Sequence, residues 1–380
     1  MAAGWWCEPD ELDDAQQKIA ALPSSGRHLI TGKPGSGKTN LLVLRAAYHI
    51  RSGHPNIKVL TWGRLISEFI ATGSQQHELD ESQLTTFMTW GQSALREANV
   101  RIELKGEFEE QMRQLMSGLE VAANQGALSR YDAILIDEVQ DYPPEALSLI
   151  ASLTERLFFA GDEHQRIYQE HRTLEYASGL VDETISLPFH YRNGHQICRV
   201  AQHIYDEKDY LAASRYDERS LPSRVSLRCF PSLKAQVEQL VVDLRDQMRT
   251  YPNEWLGVMV PLNKDADKVV ELLRESEVES YCEFQTRTEG NAVLEEERPI
   301  IVSTIHAAKG LEYRAAHILA MEGIERFPSS KRRNIAYTAV TRAKTSLYGY
   351  HTEPIQNWLK SAFLAGSDPI PPPTLVSLFR

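Results

Sequence analysis

Apolar and polar positions along the chain fall into short apolar runs separated by amphipathic stretches. Residues 27–31, 57–62, 131–138 and 157–162 are compact apolar runs of strand length, and the last two end in acids. Residues 40–46 open a helix, and 107–119 have helical spacing that includes Phe108, Met112 and Leu115. A second set starts near Ile185, with strand-like runs at 225–230, 256–261, 300–304 and 317–320 and helical stretches at 233–249 and 264–275. Strands alternating with helices predict an α/β protein with parallel sheets covered on both faces. Two such sets predict two tandem domains, 1–183 (with a short insertion near 96–129) and 184–365, followed by a Pro-rich tail, 366–380. Residues 368–373 continue neither helix nor central strand, because proline removes the donor and fixes φ.

Candidate chemistry sharpens this picture at Gly32-Lys-Pro-Gly-Ser-Gly-Lys-Thr39, a full G-x-x-x-x-G-K-[ST] phosphate-binding loop between strand and helix. Gly32, Gly35 and Gly37 let backbone N–H groups turn inward toward phosphate oxygens, and the helix adds its positive end. Lys38 would reach the β- and γ-phosphates of ATP, and Thr39 would hold Mg²⁺. Asp137 and Glu138 end a strand of the same sheet. Asp137 would hold the Mg²⁺ through its water shell, and Glu138 would act on the attacking water. The alternative is a solvated pair of strand-end acids.

Composition changes little. At 380 residues with 42% hydrophobic and 24% charged residues, the chain reads as an ordinary globular protein. Its net charge of −11 argues against broad electrostatic adhesion to nucleic acid but leaves room for a narrow basic groove. Cys7, Cys198, Cys229 and Cys282 have no metal-ligand spacing and read as thiols in a reducing compartment. No apolar run approaches membrane-spanning length, and residues 1–8 lack a signal-peptide pattern, so a cytoplasmic location is expected.

The string Asp137-Glu138-Val139-Gln140-Asp141 resembles the D-E-x-Q-D signature of superfamily-one helicases of the UvrD/Rep/PcrA type. Other stretches follow in that family's order. Residues 12–16 are similar to its Q motif, 161–168 to G-D-x-x-Q-x-I-Y, and 189–192 to N-Y-R. Residues 303–313 are similar to T-I-H-x-A-K-G-L-E-F, and 337–343 to Y-V-A-x-T-R-A. The resemblance implies two RecA-like domains with ATP between them. Gln16 would read adenine, Tyr191 would stack on it, and Gln165 would sense the γ-phosphate. Arg192 and Arg342 would act as arginine fingers, with Glu312 at the ribose. Domain closure would then assemble the site and hydrolysis reopen it.

Three departures bear on what such a motion does. Arg192 and Thr304 are 112 positions apart, too close for the large accessory domain usual between these motifs. Tyr168 is followed by Gln169-Glu170-His171-Arg172 rather than by an aromatic-Arg-Gly triplet whose ring stacks on bases. The strand-contacting motifs read Thr61-Trp62-Gly63-Arg64 and Thr86-Phe87-Met88-Thr89-Trp90, against T-F-T-N and T-F-H-S-F. Trp62, Arg64, Trp90, Thr304 and His306 are therefore the candidate contacts to single-stranded DNA, with core packing as the alternative for both tryptophans. The expected activity is a DNA-stimulated ATPase and 3′-to-5′ translocase. The alternative is an ATPase switch regulating a partner such as a nuclease in repair or anti-phage defence. Near the C-terminus, Leu378 and Phe379 follow the prolines in a peptide resembling sliding-clamp ligands, and packing of that tail on its own domain is the simpler expectation.

Overall fold

The computed structural model describes residues 6–7, 9–74, 79–162, 173–206, 208–286, 294 and 297–367. The chain divides into two units. One takes Met1–Tyr191 and, much later in sequence, His306–Leu311, and the other takes Arg192–Gly290, Glu297–Ile305 and Glu312–Arg380.

In the first unit, α1 (Asp14–Ala20) precedes β1 (Arg27–Gly32), α2 (Lys38–Arg51), β2 (Ile57–Thr61), α3 (Arg64–Ser74) and β3 (Leu84–Thr86). Then come α4 (Phe87–Glu97), α5 (Phe108–Asn124), β4 (Ala133–Ile136), α6 (Pro144–Ser152), β5 (Leu157–Gly161), α7 (Thr173–Ser178) and β6 (Glu183–Leu187). The strands form a parallel six-stranded sheet in the order β3-β2-β4-β5-β1-β6. The uninterrupted apolar sequences of β4 and β5 suit central positions, and every residue of both is buried. Asp137 and Glu138 therefore emerge two strands away from the phosphate loop, at the same carboxyl edge of the sheet. The start of α2 depends on Gly37, whose φ of 88° turns the chain from loop into helix. Behind the loop, buried Arg45 donates to the carbonyls of Ala20, at 3.1 Å, Leu22, and Pro23, at 2.7 Å, at the end of α1.

In the second unit the order is α8 (His195–Tyr205), β7 (Arg224–Cys229), α9 (Leu233–Thr250), β8 (Leu256–Val260), α10 (Asn263–Arg274) and β9 (Cys282–Gln285). It ends with β10 (Ile300–Thr304), β11 (Tyr313–Ile318), α11 (Ser329–Val340), β12 (Ala343–His351) and α12 (Asn357–Ser367). A second parallel sheet results, in the order β7-β12-β11-β8-β10-β9. Its core joins Val258, Val260, Ile300 and Val302 to Leu240 and Leu244 of α9 and Val269 and Leu273 of α10. The run expected at 317–320 is the end of β11, which begins at Tyr313. The two parallel sheets with flanking helices make this an α/β protein.

Candidate nucleotide site

In the phosphate loop, Gly35 and Gly37 have φ of 77° and 88°, a region closed to most side chains. Lys38 is buried and donates to the Gly32 carbonyl at 2.7 Å and the Lys33 carbonyl at 3.1 Å. Its ammonium is thereby folded into the bend where phosphate oxygens would replace those carbonyls.

Gln16 is tied to this loop. Its Nε2 donates to the Ser36 carbonyl at 3.0 Å, and its Oε1 accepts from the Asp13 backbone N–H at 3.1 Å. The second contact is half of a capping box that starts α1. Tyr191 joins from the end of the unit. Its N–H donates to the Gly35 carbonyl at 2.9 Å and its hydroxyl donates to the Asp13 carboxylate. Beside them lies a cavity of about 700 Å³ with Lys18, Ile19, Ile185 and Phe189 in its wall. The first unit thus brings together Gln16, the loop and Tyr191, which lie far apart in sequence.

The Thr39 hydroxyl donates to Asp137 Oδ2 at 2.8 Å, and Asp137 Oδ1 accepts the Glu138 N–H at 2.9 Å. Burial, and then the neighbouring Glu138 charge, push the Asp137 carboxyl up to about 6. A half-buried hydroxyl on a buried carboxylate beside a second acid is a donor set that suits Mg²⁺, which takes oxygen ligands and offsets clustered negative charge. Glu138 itself has φ of 52°, in the left-handed region that non-glycine residues seldom adopt. Its Oε2 accepts from Gln140 Nε2, while Gln140 Oε1 accepts the Asp162 N–H at 3.0 Å. Gln165 lies outside the described residues.

The motif carrying Lys309 adds groups that sequence reading did not assign. Lys309 Nζ donates to both carboxylate oxygens of Asp141, at 2.7 and 2.6 Å, and lies 3.7 Å from Glu138 Oε2. Desolvation raises the Asp141 carboxyl against the pull of that ammonium. The only sequence signal was the lysine's place between His306 and Glu312 in one motif.

The second unit gathers its own cluster. Arg192 pairs with Glu312 and donates to the Thr341 carbonyl at 3.3 Å, and Lys344 lies 3.9 Å from Glu312. Desolvation works to raise the Glu312 carboxyl, but Arg192 and Lys344 outweigh it and hold Glu312 below the usual carboxylate range. Arg342 is buried, with Nε donating to the Thr338 carbonyl at 3.1 Å. Glu312, expected at the ribose, also holds Arg192.

The candidate DNA contacts divide. Trp90 is 3% exposed, packed against Phe87, and donates to the Tyr131 hydroxyl at 3.1 Å. It presents no face to a base, and core packing is the reading its surroundings support. Trp62 is half-buried, edge-on to Tyr142 at 5.0 Å, and borders an apolar cavity of about 1040 Å³. Arg64 is exposed at the start of α3, Thr304 is buried at the end of β10, and His306 is half-buried. Thr304 belongs to the second unit and His306 to the first. The tail carrying Leu378 and Phe379 lies outside the described residues.

Two family models match the chain. Residues 16–171 match an AAA domain, and residues 299–348 match a UvrD-like helicase C-terminal domain. No curated protein matches. Among solved structures, the chain is similar to the helicase nonstructural protein 10 of an arterivirus, with 16% identity and a TM-score of 0.44. That likeness covers 92% of this chain and 63% of the viral one, so this chain spans less than two thirds of that relative. No helix among the described residues is long and apolar enough to cross a membrane.

Proposed function

Because this chain belongs to the UvrD-like superfamily-one helicases, we propose that it is an ATP-driven motor on single-stranded DNA, moving 3′ to 5′. The observation that carries the hydrolytic part is the Thr39–Asp137 contact at 2.8 Å with Glu138 next in the chain. The loop N–H groups and Lys38 bind the β- and γ-phosphates, exchanging carbonyl partners for phosphate oxygens. Thr39 and Asp137 would hold Mg²⁺, which supplies charge neutralisation and orients the γ-phosphate. Glu138 accepts the proton of the attacking water, with Gln140 fixing the other face of its carboxylate. Gln16 and Tyr191 receive the adenine end, and Gln165 is assigned to the γ-phosphate by its motif. Arg192 and Arg342 of the second unit stabilise charge on the transferring phosphoryl group. Glu312 holds Arg192 and contacts the ribose. Strand contact falls to Trp62, Arg64, Thr304 and His306.

The test is ATP hydrolysis with and without single-stranded DNA. Strong stimulation, abolished by Lys38→Ala and by Glu138→Gln, is expected. DNA-indifferent hydrolysis removes the motor and leaves a second reading, an ATPase switch governing a partner such as a nuclease. Burial of Trp90 favours that reading, since one stacking platform worth ~1–3 kcal/mol per base is gone. A partner docked through the Leu378/Phe379 tail belongs to the same reading. Its check is whether Leu378→Ala/Phe379→Ala abolishes binding to a sliding clamp.

A further inference from the structure

Lys309 stands 168 residues beyond Asp141 in sequence, yet its ammonium closes on both oxygens of that carboxylate. Both side chains are nearly inaccessible, at 5% and 1%. Burying two charges is offset only by close geometry and further hydrogen bonds, and removing one partner alone leaves an uncompensated buried charge. What this pair specifies is visible at Glu138. That residue begins the 3-10 turn Val139–Asp141, holds a left-handed φ of 52°, and keeps one carboxylate oxygen 3.7 Å from the same ammonium.

The lysine's own register is fixed. Its N–H donates to the His306 carbonyl at 3.3 Å, closing the turn. Gly310 follows with φ of 86°, and a Cβ there would lie 2.7 Å from Ile66 on α3. Any side chain at 310 would push the turn off α3 and carry Lys309 with it.

We propose that Lys309 is a positioning residue for hydrolysis. It fixes Asp141, and through that turn and its own charge, which like Gln140 faces Glu138 Oε2, it sets the orientation of the Glu138 carboxylate. This rests on the ATPase reading given above. Because the lysine sits three residues after His306, a strand gripping that turn acts directly on the orientation of Glu138.

The experiment compares wild type, Glu138→Gln, Lys309→Met and the double variant Asp141→Asn/Lys309→Met. Lys309→Met alone leaves Asp141 buried without its ammonium and is unstable for that reason. The double variant removes both charges and restores the fold, read as a wild-type melting curve and unchanged ADP affinity. Its kcat is expected to fall at least about tenfold with KM for ATP within about threefold, the signature of an interaction made in the transition state. Recovery of wild-type kcat in the double variant overturns the proposal, since Lys309 then only neutralises Asp141. If the double variant does not fold, Lys309→Arg is read the same way, because the larger planar guanidinium places its donors differently from the compact ammonium. Wild type hydrolysing ATP no faster than Glu138→Gln overturns the ATPase reading itself, an outcome distinct from loss in the variants alone.

Discussion

At the scale of single residues, the candidate site is built from side chains that hold one another. Asp137 is the clearest case, because its carboxyl is pushed up to about 6 by burial and by Glu138. A carboxyl raised above its unfolded value contributes stability below about 4, and that contribution is lost as pH rises through about 6. The ionised form is the one that binds a divalent cation. Stabilisation by Mg²⁺·ADP should therefore be large at pH 8 and shrink as pH falls through about 6. Melting temperatures with and without Mg²⁺·ADP across pH 5–8 check this, and Asp137→Asn should flatten the profile. Gly37 offers a second check. Its φ of 88° is strained for any side chain, and an added Cβ would lie 2.6 Å from Gln16 Nε2, so the amide would have to give way. Gly37→Ala should raise the Kd for ADP about tenfold or more by displacing Gln16 from the loop, measured by calorimetry. Unchanged affinity would mean that Gln16 does not shape the site.

At the scale of elements, the strands and the phosphate loop were legible because each is a local signal: an apolar run, a glycine-rich turn, a carboxylate at a strand end. β3 and β9, three and four residues long, were not, because so short a run carries little period. β12, with polar residues through its first half, was not read as a strand, and Ile185, read as the start of the second set, lies in β6 beside β1 of the first sheet. Contacts across sequence distance were equally hidden. The pattern of 189–192 and 303–313 marked Arg192 and Glu312 but not their mutual pairing, and Trp90 had the composition of a stacking residue in a segment that packs inward. The α4–α5 contact is another long-range feature. Gly91 and Gly118 let the two helices approach, and an added Cβ would lie 2.9 Å from Leu115 in the first case and from Ile102 in the second. Alanine ordinarily favours a helix interior over glycine by ~1 kcal/mol, while overpacking costs ~1–3 kcal/mol. Gly118→Ala should therefore lower the urea midpoint despite its better helix propensity. A raised midpoint would show that the helices move apart at little cost.

At the scale of the whole molecule, two six-stranded parallel sheets carry different ionisable groups, and their acid sensitivity should differ. The first unit holds the acids and the phosphate loop, while the second holds Arg192, Arg342 and a buried polar group under its sheet. There His317 is enclosed between the Tyr350 hydroxyl and the Gln247 side chain, each at 2.8 Å, and stacks on Tyr348 at 4.8 Å. Tyr350 in turn donates to Asp243 at 2.7 Å. Desolvation, then the nearby Arg228 charge, lowers the His317 imidazole to about 3. A histidine lowered in the folded state gives stability that is complete above its unfolded value near 6.5 and drains away as pH falls toward 3. At 1.36 kcal/mol per pH unit the full loss is on the order of 4–5 kcal/mol, a large share of a domain's stability. Between pH 6.5 and 4 the second unit should therefore lose protection first, seen as faster amide exchange in β8, β11 and β12 than in β4 and β5. His317→Gln, which has no imidazole to protonate, should start less stable at pH 7.5 but lose much less on acidification. Parallel loss in both units, or an unchanged slope in His317→Gln, would place the acid-sensitive groups elsewhere. With the slope assigned to His317, the acid limit of the protein would lie in the fold of the unit that bears Arg192 and Arg342.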